Sequence, residues 1–100
     1  MPAVILLAGA EADSLDIFMR LEGRNPDAAD RFFRRLDKCL AQLALHPESA
    51  PAFEGKFRRL IMRGFPFGIF FPVEGERLFV QAILDLRQNP GHIRRRLGLE

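Results

Sequence analysis

Hydrophobic positions recur with two different periods along this chain, and the change falls near residue 55. The opening run, Ala3-Val-Ile-Leu-Leu-Ala-Gly-Ala10, reads as a short buried strand. It ends in Ala-x-Ala like a secretory leader, but it lacks a basic n-region and its apolar stretch is only a few residues long. From Glu11 to Glu22 the spacing turns helical. Leu15, Phe18 and Met19 stand at 0, 3 and 4, which places them on one apolar face, and Gly23 is a natural residue to end the helix. Asn25-Pro26 then opens a second helix, with Asn as N-cap and Pro at the first helical position. Its buried stripe is Ala29, Phe32, Phe33, Leu36, Leu40, Leu43 and Ala44. Asp27/Arg31 and Asp30/Arg34 are acid-before-base pairs at i, i+4, each able to add about 0.2–0.5 kcal/mol. His46-Pro47 closes this helix, because the residue before proline avoids helical backbone angles. The short link makes the two helices an antiparallel hairpin.

After a Pro-, Ser- and Ala-containing loop over 47–55 the period becomes two. Leu60 and Met62 alternate with Arg59, Ile61 and Arg63. Phe65, Phe67, Ile69, Phe71 and Val73 point one way; Pro66, Gly68, Phe70 and Pro72 point the other. Glu74-Gly75-Glu76 marks a tight hairpin, and the last strand places Leu78, Val80, Ala82, Leu84 and Leu86 on one face. Pro66 and Pro72 cannot donate ladder hydrogen bonds, so they belong at an edge or a strand end. A basic tail, Pro90-Gly-His-Ile-Arg-Arg-Arg-Leu97, suits a helical turn. The expected fold is therefore α+β: an N-terminal strand, a helical hairpin, then a three-stranded antiparallel meander from about Phe57 to Leu86, all in one domain over residues 1–100.

Composition narrows the functional classes. The chain is 48% hydrophobic, which argues against disorder, and its one cysteine, Cys39, allows no intrachain disulfide. That suits a reducing cytoplasm. No run approaches the roughly 20 apolar residues of a membrane span. Two histidines and one cysteine give no zinc spacing, and no Gly-rich phosphate loop follows a strand, so no metal or cofactor is expected. Charge is uneven. Residues 1–50 carry 6 Lys/Arg against 8 Asp/Glu, and residues 51–100 carry 9 against 5. The basic half suits a nucleic acid or an acidic protein partner, or is simply an unevenly charged surface.

Few side chains look catalytic. Cys39 reads as helix packing, His46 as a helix cap favoured by the dipole, and the neighbouring Asp13 and Asp16 as a solvated face. The arginines carry more. Arg58, Arg59 and Arg63 lie on or beside one strand, Arg87 leaves the last, and Arg94, Arg95 and Arg96 follow closely. Guanidinium groups bind phosphates bidentately and stay charged at any working pH, so these could contact RNA or an acidic partner, or salt-bridge locally. Ten phenylalanines crowd the chain, with no tyrosine or tryptophan. Phe70 and Phe79 fall opposite the main alternation, so both sheet faces carry aromatic surface. The second face fits a protein partner or cover by the C-terminal tail.

Taken together, Ala10-Glu-Ala-Asp-Ser-Leu-Asp-Ile17, Asn25-Pro-Asp-Ala-Ala-Asp-Arg-Phe32, the Leu-Ala-Leu-His-Pro ending at Pro47, and above all Phe57-Arg-Arg-Leu-Ile-Met-Arg-Gly-Phe-Pro-Phe-Gly-Ile-Phe-Phe-Pro-Val-Glu-Gly75 resemble the RelE/ParE family of bacterial toxins. The last segment is similar to that family's tyrosine-rich meander with phenylalanine in place of tyrosine, and Asp85-Leu-Arg-Gln-Asn-Pro90 sits where many members carry an R-x-x-P segment. The resemblance implies a β-α-α-β-β-β fold and a cognate antitoxin, with Phe65, Phe67, Phe70 and Phe79 as candidate contacts for it. It also implies one of two activities: binding and inhibition of DNA gyrase, or ribosome-dependent cleavage of mRNA.

RNA cleavage through the 2′-hydroxyl needs a base, an acid and positive charge at the phosphate. Arg59, Arg63, Arg87 and His92 are the groups that could supply them, His92 having an ordinary pKa near neutrality. Gly68, however, stands where cleaving members often carry a third-strand arginine, and the C-terminal tyrosine has no counterpart. These departures favour a gyrase-directed binder, or a degenerate, non-toxic binding module, over the ribonuclease, with Arg58, Arg59, Arg63, Arg87, Arg94, Arg95 and Arg96 as the target-binding set.

Overall fold

The computed structural model describes residues 3–72 and 74–99. Strand β1 (Ala3–Leu6) leads into helix α1 (Ala8–Glu22) and helix α2 (Pro26–Leu45). After a 3-10 turn over Pro47–Ser49 come β2 (Phe57–Ile61), β3 (Phe67–Pro72), β4 (Arg77–Val80), β5 (Ala82–Asp85) and a short helix α3 (Pro90–Arg96). The α+β expectation holds, with β2-β3-β5 as the antiparallel three-stranded sheet. Asn25 caps α2 as expected: its side chain accepts from the N–H groups of Asp27 and Ala28, and Pro26 fills the first turn. Pro72 ends β3 and Pro66 immediately precedes it. Val73, expected to continue the β3 face, lies outside the described residues.

Three sequence expectations change. First, the last strand is broken at Gln81. Its N-terminal piece, β4, pairs in parallel with β1, from Ala3 opposite Arg77 to Leu6 opposite Val80. Its C-terminal piece, β5, pairs antiparallel with β3, Ile69 facing Ile83 and Phe70 facing Ala82. One residue spent on the break inverts the alternation. Leu78, Val80 and Ile83 therefore enter the main core, while Ala82 and Leu84 turn to the opposite face. Second, α1 buries Ala10, Ser14 and Ile17, not Leu15 and Met19, which are 56% and 69% exposed. Small residues at 10 and 14 let α1 pack closely; Ser14 donates its hydroxyl to the carbonyl of Glu11. Third, Gly23 ends α1 with an ordinary right-handed φ of −64°, so its left-handed freedom is not used.

The main core fills the space between the helical hairpin and one sheet face. Phe32, Leu36, Cys39 and Leu43 of α2 meet Leu60, Met62, Phe67, Ile69 and Phe71. A second core lies on the far face, where Ile93 and Leu97 from α3 and its C-cap cover Phe57, Phe70, Ala82 and Leu84. The aromatic surface on that face is thus covered by the chain's own tail. Burial pushes the Cys39 thiol pKa up, against the weaker opposing pull of the Arg35 charge. A thiol held protonated in a core is packing, not a nucleophile.

Candidate functional site: two clefts with opposite charge balance

The expected arginines do not converge on one place. Arg58 donates from Nη1 to the carbonyl of Ala50 at 2.7 Å and so ties β2 to the preceding loop. Arg59 lies over the Phe53 ring, 5.1 Å from its centroid. Arg94 is ion-paired with Glu54 and donates to the carbonyl of Leu99. These three hold local structure together. Arg95 is exposed at the end of α3.

Arg87 and Arg96 open instead on a cleft of about 400 Å³ between α1, β5 and α3. Three of its four arginines are paired with its three aspartates. Arg87 grips Asp85 through Nε and Nη2 at 3.1 and 2.8 Å, which holds the Asp85 carboxyl below its usual range. Arg20 pairs with Asp16 on the same helix. Arg96 donates from Nη1 and Nη2 to Asp13 at 3.0 and 2.8 Å, and Asp13 Oδ2 also accepts the Ile83 N–H at 3.0 Å. Asp13 is therefore a tie between α1, β5 and α3, rather than the solvated acid expected from its spacing. Its side chain is only 14% exposed.

A second groove, about 450 Å³, lies between α2 and the β2–β3 turn and is lined by Arg31, Arg34, Arg35, Lys38, Arg63, Gly64 and Phe65. None of its five cations makes an ion pair among the described residues. The spacing of Arg31 and Arg34 from Asp27 and Asp30 suggested intrahelical pairs; neither pair closes to ion-pair distance. The signal that could have found the groove was present. Basic residues at 31, 34, 35 and 38 repeat at 0, 3, 4 and 7 and must share one helix face.

The positions relevant to RNA cleavage are separated. Arg63 lines the α2 groove, Arg87 lines the α1 cleft, and His92 is exposed on α3. Gly68 is buried as the second residue of β3. A Cβ there would come within 2.9 Å of Leu86 Cδ2 and 3.2 Å of both Arg59 Cγ and the Phe70 ring. An arginine at that position would have to push all three aside. Gly68→Ala should accordingly lower folding stability by about 1–3 kcal/mol through overpacking, read as a shift in urea midpoint at unchanged m-value. Of the candidate antitoxin contacts, Phe67 and Phe70 are buried at 7% and 0% exposure, while Phe65 and Phe79 are half-buried.

A helical hairpin laid on a meander, with one largely ion-paired cleft and one uncompensated cationic groove, defines a small α+β domain. The chain belongs to the ParE toxin family: the family model described as the ParE toxin of type II toxin–antitoxin systems, parDE, matches residues 4–90. Among solved structures, a chain of the chromosomal ParDE toxin–antitoxin system from P. aeruginosa is similar, with a TM-score of 0.76 at 19% identity over 87% of this chain and 98% of that one. At that identity the likeness speaks for the fold. No curated protein matches. Among the described residues no group of His, Cys, Asp and Glu could hold a metal ion, and no helix is long and apolar enough to cross a membrane.

Proposed function

We propose that this chain is a toxin that inhibits DNA gyrase by binding it, and that a cognate antitoxin neutralises it in the cytoplasm. The observation that carries this reading over RNA cleavage is the packing around Gly68. The position that would bring a third-strand arginine to a scissile phosphate is filled by Leu86, Arg59 and Phe70. Arg87 is held by Asp85, Arg59 by Phe53, and the chain has no tyrosine to act as acid or base. What remains is a folded surface suited to contact. Phe65 and Phe79, with the exposed Leu15 and Met19 of α1, are the apolar groups an antitoxin can cover.

Purified protein should inhibit gyrase supercoiling in vitro and leave ribosome-bound mRNA intact, with inhibition relieved by the small acidic protein expected from the adjoining reading frame. Cleaved message with unaffected gyrase would replace this reading with the ribonuclease one. Inactivity in both assays would remove the toxin activity altogether.

A further inference from the structure

We propose that the groove between α2 and the β2–β3 turn is a docking surface for the phosphate backbone of duplex DNA. This goes beyond gyrase inhibition and does not depend on it, since the contact is between this chain and DNA alone.

The first support is charge that has no internal use. Arg31, Arg34, Arg35 and Lys38 project from one face of α2, and Arg63 adds a fifth cation from the turn. No acidic side chain lines the groove, whereas the cleft beside α1 sets three aspartates against its arginines. Gathering five like charges is unfavourable unless a polyanion neutralises them. The neighbouring face of α2 carries Phe32, Leu36, Cys39 and Leu43 into the main core, so the array is held on a rigid base.

The second support is dimension and chemistry. Seven residues of helix separate Arg31 from Lys38, a rise of about 10 Å, and a duplex strand presents a phosphate about every 3.4 Å along its axis. Because successive phosphates also wind around that axis, the straight row faces about two of them on one strand, and the long side chains extend its reach to the next. Four of the five cations are guanidinium groups, which suit bidentate phosphate contact. At the turn, Gly64 has φ +84° and open space where a side chain would stand, so backbone can come close to the ligand.

Two other polyanions fit less well. Single strands are held on free aromatic faces, but Phe65 is the one aromatic in the lining, and its ring already packs on Phe32 at 5.8 Å and Phe67 at 6.0 Å. An acidic peptide would need apolar anchor pockets for affinity, and apart from that committed ring the lining is cationic. What the groove provides is charge along a line.

The test is fluorescence anisotropy of a labelled duplex of about 20 base pairs and arbitrary sequence, titrated between about 50 and 200 mM salt. With three to five phosphates neutralised, log K should fall against log[salt] with a slope of about −2.7 to −4.5. Arg31→Gln with Arg35→Gln should reduce that slope by about 2 and weaken binding about 10- to 100-fold, uniformly across sequences. The charge-matched pair Arg24→Gln with Arg77→Gln lies outside the groove and should change affinity less than about 3-fold. Equal losses in both variants would overturn the proposal, as would no duplex binding at the lowest salt. So would competition by polyglutamate or single-stranded RNA equal to that of unlabelled duplex. Gyrase inhibition is scored separately, so either result stands without the other.

Discussion

Replacing Phe32 by alanine should cost about 3–5 kcal/mol of folding stability, against a total of about 5–15 kcal/mol for a domain of this size. Phe32 is fully buried and is the ring at which the aromatic network converges. It meets Phe33 at 5.7 Å, Phe65 at 5.8 Å and Phe67 at 5.7 Å, the last two edge-on, and Phe33 in turn stacks on Phe18 of α1 at 4.5 Å. One side chain thus links α1, α2, the β2–β3 turn and β3. Truncation removes the transfer energy of the ring, leaves a cavity, and loses edge-to-face contacts of about 0.5–1.5 kcal/mol each. The melting temperature should drop by more than about 12 °C, at about 4–8 °C per kcal/mol. Phe32→Leu, which refills most of the volume, should recover about half. Thermal unfolding followed by far-UV circular dichroism measures both; a drop of a few degrees for alanine would mean the network is redundant.

Asp13→Ala should cost about 2–3 kcal/mol, large for a polar residue in the first half of a surface helix. Two charge-assisted bonds to Arg96 disappear, and the Ile83 N–H loses the acceptor it has in place of a ladder partner. Arg96 is 43% exposed and can be solvated again, so most of the cost falls on the stranded amide and on the loosened seat of α3. Asp13→Asn keeps one carbonyl oxygen for that amide while losing the charge, and should retain about half the stability lost by alanine. Arg96→Ala should cost less than Asp13→Ala, because Asp13 can still accept from Ile83. Hydrogen exchange locates the effect: in Asp13→Ala the amides of Ile83, Ile93 and Leu97 should lose protection ahead of those in α2. Uniform loss of protection would place the tie in the global fold instead.

These two residues mark what was and was not legible beforehand. Phe32 stands in a helical stripe whose period names its burial, and the whole of α2 follows from one cap, one proline and that stripe. The same reasoning misassigned α1. Its large apolar residues, Leu15 and Met19, are exposed, and its small ones, Ala10 and Ser14, are buried. Periodicity weights side chains by size, whereas a helix packed closely on a neighbour selects for smallness. In sequence Asp13 reads as solvated because its partners, Ile83 and Arg96, lie 70 and 83 residues away and no local spacing encodes them. The candidate site was half legible. The sequence singles out Arg63, but of its neighbours on α2 it points Arg31 and Arg34 to local ion pairs that do not form and marks Arg35 and Lys38 not at all.

The sequence by itself determined the order of elements, their types, the capping of α2, the strand-end placement of the prolines and the membership of both sheet faces along β2 and β3. Each of these follows from short-range backbone chemistry or from a period that one segment carries alone. Only the tertiary structure decided where the last strand breaks, which edge β1 pairs with, and that α3 closes the second core. It also decided which arginines are spent on Ala50, Phe53, Glu54, Asp85 and Asp13, and which are left without a counter-charge in the groove beside α2. Charge balance is a property of distance in space, and residues 31–38 meet residue 63 only after the meander has folded against the helix.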